Sequence, residues 1–301
     1  MLSPKIIAFL VAVTDFALGG LISNGFIVAV TVMEWAKCRS LAASEQLLLS
    51  QGMSNICFTG FLTALSVCYY SPPDVNNYLK SGKLYVFAIF AVFSRFWLTA
   101  WLCVFYCIKI VNSTQSLFLW CKLRISQLVP WLLVGSQVFS LLVTIFAMQS
   151  LHTQTQSNRT NNTTNMTEGR TEYASYFKIF FLITGTGCPF LLVLCCSIKV
   201  VASLCRHVSH LTSAESNLRS LQTEAHIKAA GAVLFLLILS IIFYVVQTLL
   251  ITDVYVEQNI FAYSVCIAVL LMYSPAQAAI LMLVNPKLKQ AAARMLPRAK
   301  T

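Results

Sequence analysis

Apolar residues gather into seven long runs separated by polar connections, over 6–33, 46–70, 84–109, 126–149, 175–203, 228–251 and 259–284. A helix needs about 20 mostly apolar residues to cross bilayer hydrocarbon, where every backbone N–H and C=O must be bonded within its own segment. Each run is long enough. The pattern predicts an all-α membrane protein, a seven-transmembrane helix bundle forming one domain over 1–301, with a short cytoplasmic tail at 285–301. The first run is longer than a signal-peptide core, and no small-residue cleavage site follows before Glu34-Trp35, so it is read as a retained anchor.

Composition removes other classes. Hydrophobic residues make up 58% of the chain and charged ones 10%, too few to coat a water-facing surface, which excludes a soluble enzyme. The 21 Lys and Arg against 10 acids leave a net charge of +11. Fourteen of those cations fall in 34–45, 109–125, 199–228 and the tail; six fall in the other connections, and Arg95 lies inside a run. Cytoplasmic loops collect Lys and Arg, so the N-terminus faces out, the C-terminus faces in, and the chain is a multi-pass protein of the plasma membrane. Nucleic acid is excluded as a partner, because the cations are scattered over four short segments and not gathered on one basic face.

The connection at 150–174 carries overlapping N-x-S/T acceptors at Asn158, Asn161, Asn162 and Asn165, which predicts glycosylation on the outer side. Asn112 heads a similar triplet on the inner side and should stay bare. Away from their ends the runs hold two charged residues, Asp15 and Arg95. Intramembrane charge is costly and marks function, and a direct pair would require both to face one gap. No repeat relates the two halves, as transport would favour. The histidines (His152, His207, His210 and His226) sit in loops or at span ends, so no catalytic site gathers within the spans. The cysteines lie in apolar runs or at their inner ends without ligand spacing, so neither a metal nor a cofactor is expected. What remains is a sensor whose ligand biases two packings of a bundle, with a small-solute transporter or channel as the rival.

Five blocks carry a family resemblance. They are Asn24-Gly25-Phe26-Ile27 leading to Glu34-Trp35; Phe105-Tyr106-Cys107-Ile108-Lys109-Ile110-Val111-Asn112 with Phe118-Leu119-Trp120-Cys121-Lys122-Leu123-Arg124-Ile125; Pro189-Phe190 with Ser203-Leu204-Cys205-Arg206-His207; His226-Ile227-Lys228-Ala229; and Asn285-Pro286-Lys287-Leu288-Lys289-Gln290. In order and spacing the chain resembles the bitter taste receptors, the type 2 taste receptor family. Rhodopsin-like receptors fit worse: Asp-Arg-Tyr and N-P-x-x-Y are missing, and the 150–174 loop has no cysteine. Vomeronasal type 1 receptors are the nearest competing kin. The chain departs from the family's pattern at Asn55, where an Arg is usual and for which Arg95 is a candidate relocated replacement, and at Gln277-Ala278, where His-Ser is usual. It departs also at Ala88 for Trp, Val92 for Asn and Ile267 for an acid.

The resemblance implies a receptor for small-molecule bitter agonists that activates a gustducin-type heterotrimeric G protein. The candidate ligand residues are Ala88, Val92, Phe93, Phe96, Tyr244, Gln247, Tyr263 and Ile267, a wide apolar pocket suited to hydrophobic compounds. Tyr106, Lys109, Arg206, His207, His226, Lys228, Lys287 and Lys289 are the candidate G-protein face, with anchoring to anionic membrane lipids as the competing role of the individual lysines. Asp15, Asn24, Asn55, Arg95 and Gln277 are the polar residues singled out within the spans. Leu288 to Leu296 suits a short interfacial helix, and Cys38, Cys121 and Cys205 are palmitoylation candidates. Homo- or hetero-oligomerisation stays open.

Overall fold

The computed structural model describes residues 4–69, 83–111, 116–160, 179–180, 182–211, 218–252 and 260–295. Nearly all of those residues are helical, with no strand among them. The helices are α1 (Pro4–Cys38), α2 (Ala43–Tyr69), α3 (Lys83–Ile110), α4 (Ser116–Thr160), a π-helical turn (Leu182–Gly187) running into α5 (Cys188–Leu211), α6 (Leu218–Thr252), α7 (Ile260–Val284) and α8 (Pro286–Met295). α3 is the axis of the bundle and packs on α2, α4, α5 and α6, while α1 and α7 close the ring.

Among the described residues, six helices are long and apolar enough to cross a membrane: α1 and α3 to α7. α2 has the length, at 27 residues, but brings Gln51, Asn55, Thr59 and Ser66 into the interior. Polar groups facing neighbouring helices lower its mean hydropathy without exposing them to lipid. Large apolar side chains cover the outside, including Val11, Ile22, Trp131, Phe235 and Leu283, as a hydrocarbon surround requires. The helices overrun several expected limits. α4 continues to Thr160 and not 149, and α6 begins at Leu218 and not 228. Hydropathy reports the width of the hydrocarbon, whereas a helix continues into water as long as its backbone bonds are made.

Lipid tails are as apolar as leucine, so helix association rests on close packing of small residues and on interhelical hydrogen bonds. A Cβ on Gly52 would come within 2.9 Å of Val28, where α1 and α2 touch. One on Gly20 would come within 3.2 Å of Ser274, where α1 meets α7. α8 begins at a cap: Asn285 Oδ1 accepts from the N–H of Lys287 at 3.0 Å and of Leu288 at 3.3 Å, and Pro286 occupies the first helical position, where a missing N–H costs nothing. Leu288 then buries itself under the bundle.

Candidate functional site

Arg95, near the middle of α3, is 1% exposed. Its Cζ lies 4.0, 4.4 and 4.1 Å from the ring centroids of Phe58, Phe243 and Tyr273. A desolvated cation–π contact contributes about 2 kcal/mol, so three together offset the several kcal/mol lost when an ion leaves water. The rings satisfy the charge but not the donors. Nε, Nη1 and Nη2 of Arg95 have no hydrogen-bond partner. The other charged residue away from the span ends, Asp15, faces outward and does not reach Arg95. Sequence alone could not show the cage, because Phe58, Phe243 and Tyr273 come from α2, α6 and α7.

One helical turn further in, side chains form a network across four helices. Asn55 Nδ2 donates to Asn24 Oδ1 and to Gln277 Oε1, both at 2.9 Å. Gln51 Nε2 donates to the same Gln277 oxygen at 2.9 Å, and Gln277 Nε2 donates to Thr99 Oγ1 at 3.0 Å. Asn24 Nδ2 reaches the carbonyls of Gly20 at 2.8 Å and Ser274 at 3.3 Å. Thr59 Oγ1 donates to Ser274 Oγ at 3.0 Å. Of the polar residues singled out in the sequence, Asn24, Asn55 and Gln277 meet here; Arg95 lies beside them, and Asp15 lies apart. Gln51, Thr59 and Thr99 were missed, although the four-residue spacing of Gln51, Asn55 and Thr59 places them on one face of α2.

The candidate ligand residues divide. Val92, Phe96 and Ile267 are buried in one apolar cluster with Phe58, Phe243 and Tyr273, and Tyr263 packs against it. Phe96 meets Phe243 edge to face at 4.9 Å. Phe93 turns the other way, joining Ile89 and Val143 and lying against the Gly185 backbone of the π-helical turn, where a Cβ would come within 2.0 Å of its ring. Tyr244 stacks on Phe190 at 5.0 Å, while Ala88 and Gln247 are half-buried. A cleft of about 680 Å³ lies on another side of α3, between α2 and α4. Met53, Phe61, Phe87 and Leu141 are among its apolar walls, and a Ser54–Ser94–Gln137 chain of hydrogen bonds, 3.4 and 2.8 Å long, lies along it. Apart from sharing α3, this cleft contains none of the candidate ligand residues.

The taste receptor protein (TAS2R) family model matches residues 1–300. The chain belongs to the taste receptor type 2 family. It is similar to taste receptor type 2 member 1 of Chlorocebus aethiops, at 30% identity over 298 residues, covering 99% of this chain and 98% of the relative. It is 28% identical to member 8 of Papio hamadryas over 305 residues, covering 98% and 97%. It is 27% identical to member 7 of Pongo pygmaeus over 293 residues, covering 95% and 91%. The bitter taste receptor family suggested by the five blocks is thus the right one, and the protein is a membrane-embedded chemoreceptor.

At the end of the bundle where α8 begins, Lys287 reaches Glu34 at 3.0 Å and Glu45 at 2.6 Å, clasping α8 to the ends of α1 and α2. Glu45 also closes the N-terminus of α2, its other oxygen accepting the Ala42 N–H at 2.9 Å. Burial would raise the Glu45 carboxyl, but its bonds to Lys287 and Ala42 outweigh that and hold it below its ordinary value. The two carboxylates push the Lys287 ammonium above its own. Lys287, a candidate for the G-protein face, thus clasps α8 to α1 and α2 while its side chain stays exposed. Lys109 lies over the Phe105 ring at 4.5 Å, Tyr106 is half-buried, and Lys289 is exposed. The side chains of Arg206, His207, His226 and Lys228 fall outside the described residues, as do those of Asn158 and Cys205 and all of Asn161, Asn162 and Asn165.

Proposed function

We propose that this protein is a seven-helix receptor of the plasma membrane that binds bitter, mostly apolar small molecules and activates a gustducin-type heterotrimeric G protein. The observation that carries the reading is the family match from residue 1 to residue 300. α2 is the seventh crossing, its polar residues turned to the bundle interior, and the excess of cations on the connections between alternate spans sets the N-terminus outside. The ligand site is the apolar region around Val92, Phe96, Tyr263 and Ile267, with Ala88, Phe93, Tyr244 and Gln247 at its edges. The inner ends of α3, α5 and α6 form the G-protein face, through Tyr106, Lys109, Arg206, His207, His226 and Lys228, with Lys289 of α8 beside them. Lys287 shapes that face by holding α8 in place.

Receptor and purified G protein reconstituted in one membrane provide the test. Guanine-nucleotide exchange that rises with an agonist found in a calcium-readout screen supports the proposal. Solute flux through liposomes containing the chain alone, with no exchange under any compound, would replace it with the transporter reading.

A further inference from the structure

We propose that the guanidinium of Arg95 is an anion-binding point inside the bundle. The anion is compact and monovalent, supplied either by the acidic head of an amphiphilic agonist or by a halide ion from solution. Three observations support it. The ring faces of Phe58, Phe243 and Tyr273 surround the cation at 4.0–4.4 Å, so it is stabilised as a charge while its N–H groups lack an acceptor. An arginine does not shed its proton in proteins, so those donors stay charged and unsatisfied until an acceptor arrives. No carboxylate among the described residues is placed to serve: Glu34 and Glu45 are held by Lys287, and Asp15 faces outward.

The position gives the anion a body as well as a head. Val92 and Phe96 flank Arg95 on α3, and both belong to the cluster that contains Ile267 and receives Tyr263. An apolar skeleton lying on those side chains would bring a terminal carboxylate to the guanidinium edge, where the planar fork accepts it bidentately. The agonist source rests on the receptor reading above; the halide source does not. Apolar walls around one buried cation make the preferred compounds lipophilic acids, which narrows the expectation of simple hydrophobic ligands.

Two measurements on the full-length protein test this. In the first, cells expressing the receptor are given lipophilic carboxylic acids and their methyl esters, with a calcium readout. The acids should be at least about tenfold more potent than the esters on the native chain, and this ratio should collapse toward one in Arg95→Gln. Arg95→Lys, which keeps the charge but loses the fork, should give an intermediate ratio and serves if the Gln variant does not reach the surface. In the second, the melting temperature of purified receptor is followed as chloride is exchanged for gluconate. A halide-dependent rise that is lost or reduced in either variant assigns the site to the free ion. Equal potency of acids and esters together with halide-independent melting overturns the proposal, and so does an acid preference or halide effect unchanged in both variants. If no compound activates the native chain, the receptor reading fails while the melting measurement still decides the anion site.

Discussion

Gln277 shows how much one buried amide can hold. Its oxygen accepts from Gln51 and Asn55 and its nitrogen donates to Thr99, tying α7 to α2 and α3. In Gln277→Leu those buried partners lose their bonds, and each unmet group costs about 1–3 kcal/mol. Melting of the purified receptor should fall by several degrees; an unchanged melting temperature would mean that the network contributes little to stability. Ala88 works by its smallness. Ala88→Trp should fill the outer part of the proposed pocket and raise agonist EC50 about tenfold or more, whereas an unchanged dose response would remove this side of α3 from the ligand site. The Glu45–Lys287 pair is a residue-scale pH probe. Glu45 is held below its ordinary 4.5, so its contribution is present above that value and lost as pH falls through the lowered one. Lys287 is raised above its ordinary 10.5, so its contribution is full below that and lost as pH rises through the raised value. A spin-label distance between α8 and the adjoining end of α1 should thus be flat through neutral pH and lengthen only in acid, as pH falls through the lowered Glu45 value; Lys287→Met should abolish that acid step.

At the scale of elements, the helices meet where side chains are smallest. Gly52 on α2 leaves Val28 of α1 just enough room, and Gly52→Leu would drive its side chain into α1, where a Cβ alone would already lie 2.9 Å from Val28. Overpacking of this kind costs about 1–3 kcal/mol, so surface expression should drop and melting fall, with little change for Gly60→Leu, where the space is open. α8 illustrates the opposite economy of means: a short helix that does not cross the membrane is held by an Asn285 cap, a Pro286 start, one buried leucine and one clasping lysine. The Asn-Pro block in the sequence is the chemistry of that start. The lysine's acidic partners come from α1 and α2 and were not legible from the tail itself.

The whole molecule is organised by its surroundings. Large apolar side chains cover the outside and pack with one another on the inside, while a buried polar layer ties α1, α2, α3 and α7 together. The proposed orientation makes a direct prediction: treatment with an N-glycosidase should shift the receptor on a gel, replacement of Asn158, Asn161, Asn162 and Asn165 together should abolish the shift, and Asn112 should contribute nothing. A shift that survives the fourfold replacement would overturn the assignment of the 150–174 loop to the outside.

The sequence by itself determined the class of molecule, the approximate place of each long helix and the imbalance of charge from which an orientation follows, because these depend on runs and sums along the chain. It also carried the family, whose blocks are local in order and spacing. Which way a residue faces was decided only by the tertiary structure. In water a helix declares its inner face by contrast with a polar outer one, but here both faces are apolar and the contrast is weak. Phe93 and Val92 are neighbours in sequence, yet one packs toward α4 and the other joins the cluster beside Arg95. The cage around that arginine depends on aromatic rings from three distant helices, and only packing could bring them to a single charge.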